Sequence, residues 1–266
     1  MTVLGIIGMN RSGSTVVSMV LDGLPGVTSL GEAHHFVSYP HWAGCTSCGP
    51  DNCPVLTPEV RQEAAIVVSR NSANLYGFLR EVTGSRVLVV SDKLPKIYEE
   101  QTCPPDKGLL VLKSPLATIV SNVDVLRKIR ETPLHLQDRE LNNEEIEYAL
   151  KMFDGYRGIM NWCDSNCPDW KFLSLDTLVE RPKQSLEALA ELCGTTPDPQ
   201  ALRFWENPHH QIAGNTNVRT GRGPLAGGLN KDVRWRDVVT SAQVRAIRGD
   251  PRVAAVHKRA AARRLI

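Results

Sequence analysis

One segment near the start of the chain strongly restricts the folds that the chain can adopt. It comprises the eight residues Gly8-Met9-Asn10-Arg11-Ser12-Gly13-Ser14-Thr15. An apolar run at 3–8 predicts a buried strand before them, and apolar residues at helical spacing from Val16 to Leu24 predict a helix after them. A loop with this glycine spacing directs its backbone N–H groups and the positive end of the helix dipole at one point. We therefore expect a phosphate-binding loop here, with a strand-to-helix turn that binds nothing as the alternative.

The remainder of the chain alternates between strand patterns and helix patterns. Short apolar runs predict buried strands at 27–30, 86–90, 109–112 and 170–175. Helical periodicity predicts helices at 58–83, 143–163, 177–192 and 251–265. This alternation predicts an α/β fold, a doubly wound parallel sheet flanked by helices, in one domain over residues 1–266. Ligands of such sheets bind at the carboxyl ends of the strands.

The overall charge gives no reason to expect a polyanionic partner. The chain has 31 Lys and Arg against 29 Asp and Glu, a net charge of +2, so nucleic acid and an anionic membrane are not expected partners. No apolar run approaches the roughly 20 residues of a membrane helix, and the chain does not begin as a signal peptide does. Seven cysteines, an odd number in a chain of this length, favour reduced thiols and a cytoplasmic location.

The phosphate loop differs at one position from that of nucleoside triphosphatases. Ser14 stands where a lysine would grip the β- and γ-phosphates, and this disfavours an ATPase or a kinase. Arg11 instead offers a planar cation with several donors, which suits phosphate or sulfonate oxygens. A P-loop kinase is still the main enzymatic alternative, because Asp92 ends an apolar strand as a magnesium-binding acid would.

Two neighbouring stretches carry a family resemblance. Arg-Ser-Gly-Ser-Thr at 11–15, followed by Leu-Asp-Gly-Leu-Pro-Gly-Val-Thr-Ser-Leu-Gly-Glu at 21–32, resembles the opening of the bacterial and tyrosylprotein-type sulfotransferases, which have a P-loop-like fold. The resemblance implies that 3′-phosphoadenosine 5′-phosphosulfate (PAPS) is the sulfuryl donor and that no metal is required. It also implies that the 5′-phosphosulfate is held by the loop residues Arg11, Ser12, Gly13, Ser14 and Thr15.

A second nucleotide-binding element is expected between Lys113 and Ser121. Lys113 ends a strand and Ser121 lies two helical turns further on, so both can reach one anion. This resembles the family's 3′-phosphate element, a strand ending in Arg-Asp-Pro with a serine eight positions after the arginine. The spacing is kept, but lysine replaces the arginine and Ser114 replaces the acid, so bidentate geometry is lost. The alternative is a surface lysine and a serine bonded to its own helix.

Glu32 and Lys93 are the expected catalytic residues. Glu32 lies beside the phosphate loop at a strand end and can act as general base, particularly if burial raises its pKa. The family's Leu-Gly-Glu motif implies the same role. His34 and His35 are rivals, since an imidazole titrates near neutral pH. Lys93 is similar to the family's strand-end lysine, which neutralises the bridging oxygen as the bond breaks, and Lys96 is the alternative.

The segments without periodicity are expected to bind or cover the ligands. Residues 205–237 are expected to form a mobile lid-like loop that covers the nucleotide or the acceptor. Within them, 212–219 and 234–236 resemble the closing segment of bacterial members, where a loop bearing glycine and arginine covers the nucleotide, and Arg219 and Arg222 are the candidates there. The acceptor is expected to be a small molecule with a hydroxyl or an amine, and self-association into a homo-oligomer stays open. Residues 250–266 predict a basic helix with a solvated charged face. A catalytically inactive nucleotide-binding protein is the non-enzymatic alternative.

A cysteine cluster lies in the irregular segment 34–57. The spacing Cys45-x-x-Cys48-x-x-x-x-Cys53, with His41 nearby, offers thiolate and imidazole ligands of the kind that bind zinc. A similar Cys-rich stretch occurs in bacterial sulfotransferases, and reduced structural thiols are therefore the preferred interpretation. Zinc and a disulfide are the alternatives.

Overall fold

The computed structural model describes residues 2–39, 44–49, 51–100, 102–129, 140–215, 218 and 228–266. The strands in these residues are β1 Thr2–Ile7, β2 Val27–Gly31, β3 Val87–Lys93, β4 Lys107–Leu112 and β5 Lys171–Ser174. The helices are α1 Ser14–Asp22, α2 His35–Ser38, α3 Pro58–Asn71, α4 Leu75–Thr83, α5 Pro95–Glu100, α6 Pro115–Ile129, α7 Asn143–Asn166, α8 Leu175–Glu180, α9 Pro182–Cys193, α10 Ser241–Gly249 and α11 Pro251–Ala261. Short 3-10 segments occupy Ser72–Asn74, Pro199–Glu206 and Arg234–Asp237.

All five strands are parallel and lie in the order β2-β3-β1-β4-β5. The central strand β1 pairs with both β3 and β4, and apart from Thr2 its residues are buried because helices cover both faces of the sheet. Helices α1 and α9 pack on one face, and α6 and α7 pack on the other. The predicted α/β fold with a parallel sheet flanked by helices is therefore confirmed.

Two of the predicted helices are broken in the structure. The helix expected at 58–83 is interrupted by the 3-10 turn at Ser72–Asn74, where the side chain of Asn71 accepts a hydrogen bond from the N–H of Ala73. The helix expected at 177–192 starts earlier, at Leu175, and breaks at Arg181. A proline disfavours helical geometry in the residue before it, so Pro182 ends α8 and starts α9.

The irregular segments are only partly described. The predicted covering loop at 205–237 begins in the 3-10 segment Pro199–Glu206, and residues 209–215 then run beside β2, where the N–H of Ile212 donates to the carbonyl of Leu30 at 2.9 Å. Most of the loop that follows lies outside the described residues. Among the helices that the structure describes, none has both the length and the apolar character needed to cross a bilayer.

Candidate active site

A cleft of about 640 Å³ lies at the carboxyl ends of the strands. Each strand delivers one residue to its wall: Arg11 follows β1, Glu32 follows β2, Lys93 ends β3, Lys113 follows β4 and Leu175 follows β5. Because the strands are parallel, residues distant in sequence meet here. The structure thus brings most of the predicted site residues together in one place.

The phosphate loop forms one wall of this cleft, where the N-terminus of α1 opens with Ser14 and Thr15. Gly13 has a positive φ of 99°, and a Cβ there would lie 2.6 Å from the side chain of Leu175, so the turn requires glycine. Arg11 also has a positive φ, 66°, which is uncommon for a residue other than glycine. Such strain tends to occur at functional sites.

Ser12 is placed differently from its neighbours in the loop. Its side chain is fully buried and is not part of the cleft wall. Its N–H donates to the carbonyl of Met9 at 3.2 Å, and this hydrogen bond closes the turn.

Glu32 and Lys93 both line the cleft and form an ion pair there. The ammonium of Lys93 donates to Oε1 of Glu32, and Nε2 of His35 lies 3.4 Å from Oε2. Lys93 shares with Arg11 a left-handed backbone, with φ at 66°. Burial opposes the ionisation of Glu32, but the hydrogen bond from His35 and the charge of Lys93 outweigh it and lower its pKa to about 2. Burial alone would raise the pKa, as expected, but the net shift is downwards.

The rival residues His34, His35 and Lys96 are not part of the cleft wall, although His35 contacts Glu32 there. His34 donates its N–H to the buried carboxylate of Asp92 at 3.0 Å, and its Nδ1 lies 2.9 Å from the same oxygen. The second oxygen of Asp92 accepts from the hydroxyl of Tyr76. Lys96 is 75% exposed and pairs with Glu100 on α5.

A compact charged cluster surrounds Lys113, which also lines the cleft. Its ammonium donates to Ser121 Oγ at 3.1 Å and lies 3.4 Å from Asp232 Oδ2. Arg234 grips the same carboxylate with two hydrogen bonds of 2.8 Å and donates to Ser121 Oγ at 3.1 Å. The carboxylate of Asp232 thus lies at the point where two cations and a hydroxyl converge.

The pKa values in this cluster shift with burial and charge. Burial opposes the ionisation of Asp232, but the hydrogen bond from Arg234 and the charge of Lys113 prevail and lower its pKa to about 2. Burial also lowers the pKa of Lys113, although the negative charge of Asp232 acts to raise it. A second carboxylate of the cleft wall, Asp124, lies 3.9 Å from Arg234.

The fold was compared with those of known proteins. No family model matches the sequence, and no curated protein matches it. The structure, however, matches the sulfotransferase domain from the Synechococcus PCC 7002 olefin synthase with a TM-score of 0.63 and 18% identity, over 97% of this chain and 94% of that one. It also matches the sulfotransferase domain from the curacin biosynthetic pathway, with a TM-score of 0.60 and 15% identity, over 98% and 97%.

The chain has the sulfotransferase fold. The resemblance that the motifs at 11–15 and 21–32 carry is confirmed at the level of the fold, although the identities are low. Within this sulfotransferase fold, Arg219 and Arg222 lie outside the described residues, and their roles stay a prediction.

The sequence pattern predicted no role for Asp232, and it placed Arg234 and the segment Gly214–Asn215 only within stretches that resemble the family's closing segment, yet all of them line the cleft. Asn215 donates its N–H to Thr15 Oγ1 at 3.1 Å, which ties this segment to the phosphate loop. Arg234 lies in a stretch with a family resemblance, but no spacing rule links it to Ser121. These contacts span more than 100 positions, and only the fold creates them.

Proposed function

We propose that residues 1–266 form a sulfotransferase domain that transfers a sulfuryl group from PAPS to a hydroxyl or an amine of a small-molecule acceptor in the cytoplasm. One observation carries the proposal. Arg11, Glu32, Lys93 and Lys113, each after or at the end of a different parallel strand, line a single cleft in a sulfotransferase fold. This set supplies cations for a donor with two anionic ends and a carboxylate for the acceptor proton.

The two ends of the donor match the two charged regions of the cleft. The 5′-phosphosulfate is assigned to the N-terminus of α1, where Ser14, Thr15 and Arg11 offer backbone and side-chain donors. The 3′-phosphate is assigned to Lys113, Ser121 and Arg234, which already surround a carboxylate. These cations can compensate the charge of the donor without a metal.

Transfer then follows an in-line displacement. Glu32 accepts the proton of the acceptor as the acceptor oxygen or nitrogen bonds to sulfur. The bond from sulfur to the bridging oxygen of the 5′-phosphate breaks, and Lys93 stabilises the negative charge on that oxygen. The products are the sulfated acceptor and 3′-phosphoadenosine 5′-phosphate (PAP). When Lys93 turns from Glu32 to the donor, Glu32 loses a stabilising charge and becomes a stronger base.

A magnesium-dependent kinase fits this cleft less well. Ser14 occupies the position of the phosphate-gripping lysine, and Asp92 has both carboxylate oxygens engaged by His34 and Tyr76. Asp92 also does not line the cleft. A catalytically inactive nucleotide-binding protein would bind PAP but transfer nothing.

Calorimetric titration with PAP, without added Mg²⁺, tests the donor site. We expect metal-independent binding that Lys113→Ala weakens by about tenfold to a hundredfold, because each charged contact contributes about 1.5 to 3 kcal/mol. AMP lacks the 3′-phosphate, so its weaker binding should not change in the variant. Lys96→Ala is the matched control, since Lys96 is exposed and outside the cleft.

The same titration separates the alternatives. Binding of ATP with Mg²⁺, and none of PAP, would reject the sulfotransferase and favour a kinase. If PAP binds, labelled PAPS is incubated with pools of hydroxyl and amine acceptors, with Glu32→Ala as the inactive control. Labelled product that the wild type makes and Glu32→Ala does not would support the enzyme.

A further inference from the structure

Three cysteines and one histidine meet at a point that is not part of the cleft wall. The Sγ atoms of Cys45, Cys48 and Cys53 and the Nδ1 atom of His210 all lie within 4.8 Å of one another. Nδ1 is 3.3 Å from Cys48 Sγ and 3.4 Å from Cys53 Sγ. We propose that these four residues bind one zinc ion that holds the cysteine segment against the segment 209–215.

The distances are those of ligands around a shared ion. Zinc bonds of about 2.3 Å to sulfur and about 2.0 Å to nitrogen place neighbouring ligand atoms of a tetrahedron roughly 3.5 to 3.8 Å apart. The observed separations from Nδ1 lie close to this range. All seven cysteines of the chain are free thiols, so no disulfide accounts for the grouping. Three sulfur ligands and one imidazole suit zinc and are unsuited to magnesium or calcium.

Backbone N–H groups also point at two of the sulfur atoms. The N–H of Cys48 donates to Cys45 Sγ at 3.3 Å, and the N–H of Leu56 donates to Cys53 Sγ at 3.2 Å. Hydrogen bonds of this kind orient ligand side chains around a metal ion. Cys45 and Cys53 are almost fully buried, and a cation compensates buried negative charge. Four protein ligands complete the coordination of zinc, which is typical of a structural site.

The fourth ligand differs from the one that the sequence suggests. His41 lies outside the described residues, whereas His210 reaches the cysteines from more than 150 positions away. A zinc ion here therefore joins two distant parts of the chain. The expected absence of a metal concerned the phosphate groups, and this site is separate from them.

The segment that His210 anchors runs to the phosphate loop. The N–H and hydroxyl of Thr46 both donate to the carbonyl of Gln211, at 2.8 Å and 2.6 Å. The side chain of Gln211 donates to Ser18 Oγ on α1 at 2.9 Å, and Asn215 reaches Thr15. Loss of the ion should therefore loosen one wall of the cleft, although the ion touches no ligand in it.

Metal analysis of the purified chain tests the proposal directly. Protein made in zinc-supplemented medium and purified without chelators should carry one equivalent of zinc, as should Cys103→Ser, which changes a cysteine outside the cluster. Cys48→Ser and His210→Ala should lose most of the metal. His210→Cys keeps four ligands and should retain it.

Two further measurements guard against variants that misfold. Cobalt exchanged into the wild type should give the visible bands of a tetrahedral site and a thiolate charge-transfer band, and His210→Cys should shift the visible bands. A zinc chelator should lower the melting temperature of the wild type and of Cys103→Ser by several degrees. Wild-type protein that neither carries zinc nor binds it under reducing conditions, or that contains a disulfide among Cys45, Cys48 and Cys53, would overturn the proposal. None of these measurements depends on the sulfotransferase activity.

Discussion

At the scale of single residues, the cleft pairs its own cations with its own carboxylates. Lys93 donates to Glu32, and Lys113 and Arg234 converge on Asp232. A phosphate that enters the second cluster must displace the Asp232 carboxylate or share its cations. The arrangement compensates the charges of Lys113 and Arg234 when no other anion is bound.

The Asp232 carboxylate competes with the 3′-phosphate for Lys113 and Arg234, so removal of its charge should strengthen PAP binding. In Asp232→Asn, we expect PAP to bind roughly fivefold to tenfold more tightly, since an ion pair of about 1 to 1.4 kcal/mol no longer has to be broken. AMP has no 3′-phosphate, and its affinity should stay the same. Calorimetric titration of both nucleotides measures the difference. Weaker PAP binding would instead mean that Asp232 positions Lys113 and Arg234 for the phosphate.

Glu32 should make the stability of the chain depend on pH in the acid range. Its pKa falls from 4.5 to about 2 on folding, so ionised Glu32 stabilises the fold above about pH 4.5 and this contribution is lost as the pH falls towards 2. Between about pH 6 and about pH 3, the wild type should lose about 2 kcal/mol of unfolding free energy more than Glu32→Gln does. Urea unfolding of both proteins measures this, and parallel pH profiles would contradict the pairing of Glu32.

At the scale of elements, the start of α1 depends on Gly13, which packs against Leu175 at the start of α8. Gly13→Ala combines a strained φ with a Cβ only 2.6 Å from Leu175, so we expect a loss of about 1 to 3 kcal/mol of unfolding free energy and weaker PAP binding. Gly158→Ala is the control, because Gly158 is exposed within α7 and a Cβ there meets nothing within 4 Å. That change should stabilise the chain by about 0.5 to 1 kcal/mol. Urea unfolding distinguishes the two, and equal effects would show that the close contact does not matter.

The elements also show what sequence patterns can predict. The strands and the strand-to-helix turn at 8–15 were predictable because their signals are local: apolar runs, glycine spacing and helical periodicity. Pro182 was visible in the sequence, but the periodicity around it hid the break that it causes. Asp232, Arg234 and His210 gave no such signal. They lie in segments without periodicity, and their partners come from other elements more than 100 positions away.

At the scale of the whole molecule, both edges of the sheet are covered by irregular chain. The segment 209–215 donates to β2 through Ile212, next to the proposed zinc ligand His210. At the other edge, the N–H of Phe172 donates to the carbonyl of Arg263 at 2.8 Å, and the N–H of Leu265 donates to the carbonyl of Phe172 at 2.9 Å. Unpaired edges invite pairing with other chains, and these hydrogen bonds occupy part of each edge.

The residues that cover β5 should therefore contribute to stability through their backbone. Deletion of 263–266 removes both hydrogen bonds to Phe172, and we expect a loss of about 2 kcal/mol of unfolding free energy and more aggregation on heating. Arg263 also donates to the carbonyl of Pro168 and lies 5.4 Å from the ring of Trp170. The double variant Arg263→Ala with Arg264→Ala removes these side-chain contacts but keeps the backbone pairing, so it should lose less. If urea unfolding and light scattering show the same loss for the deletion and the double variant, the side chains and not the covered edge are responsible.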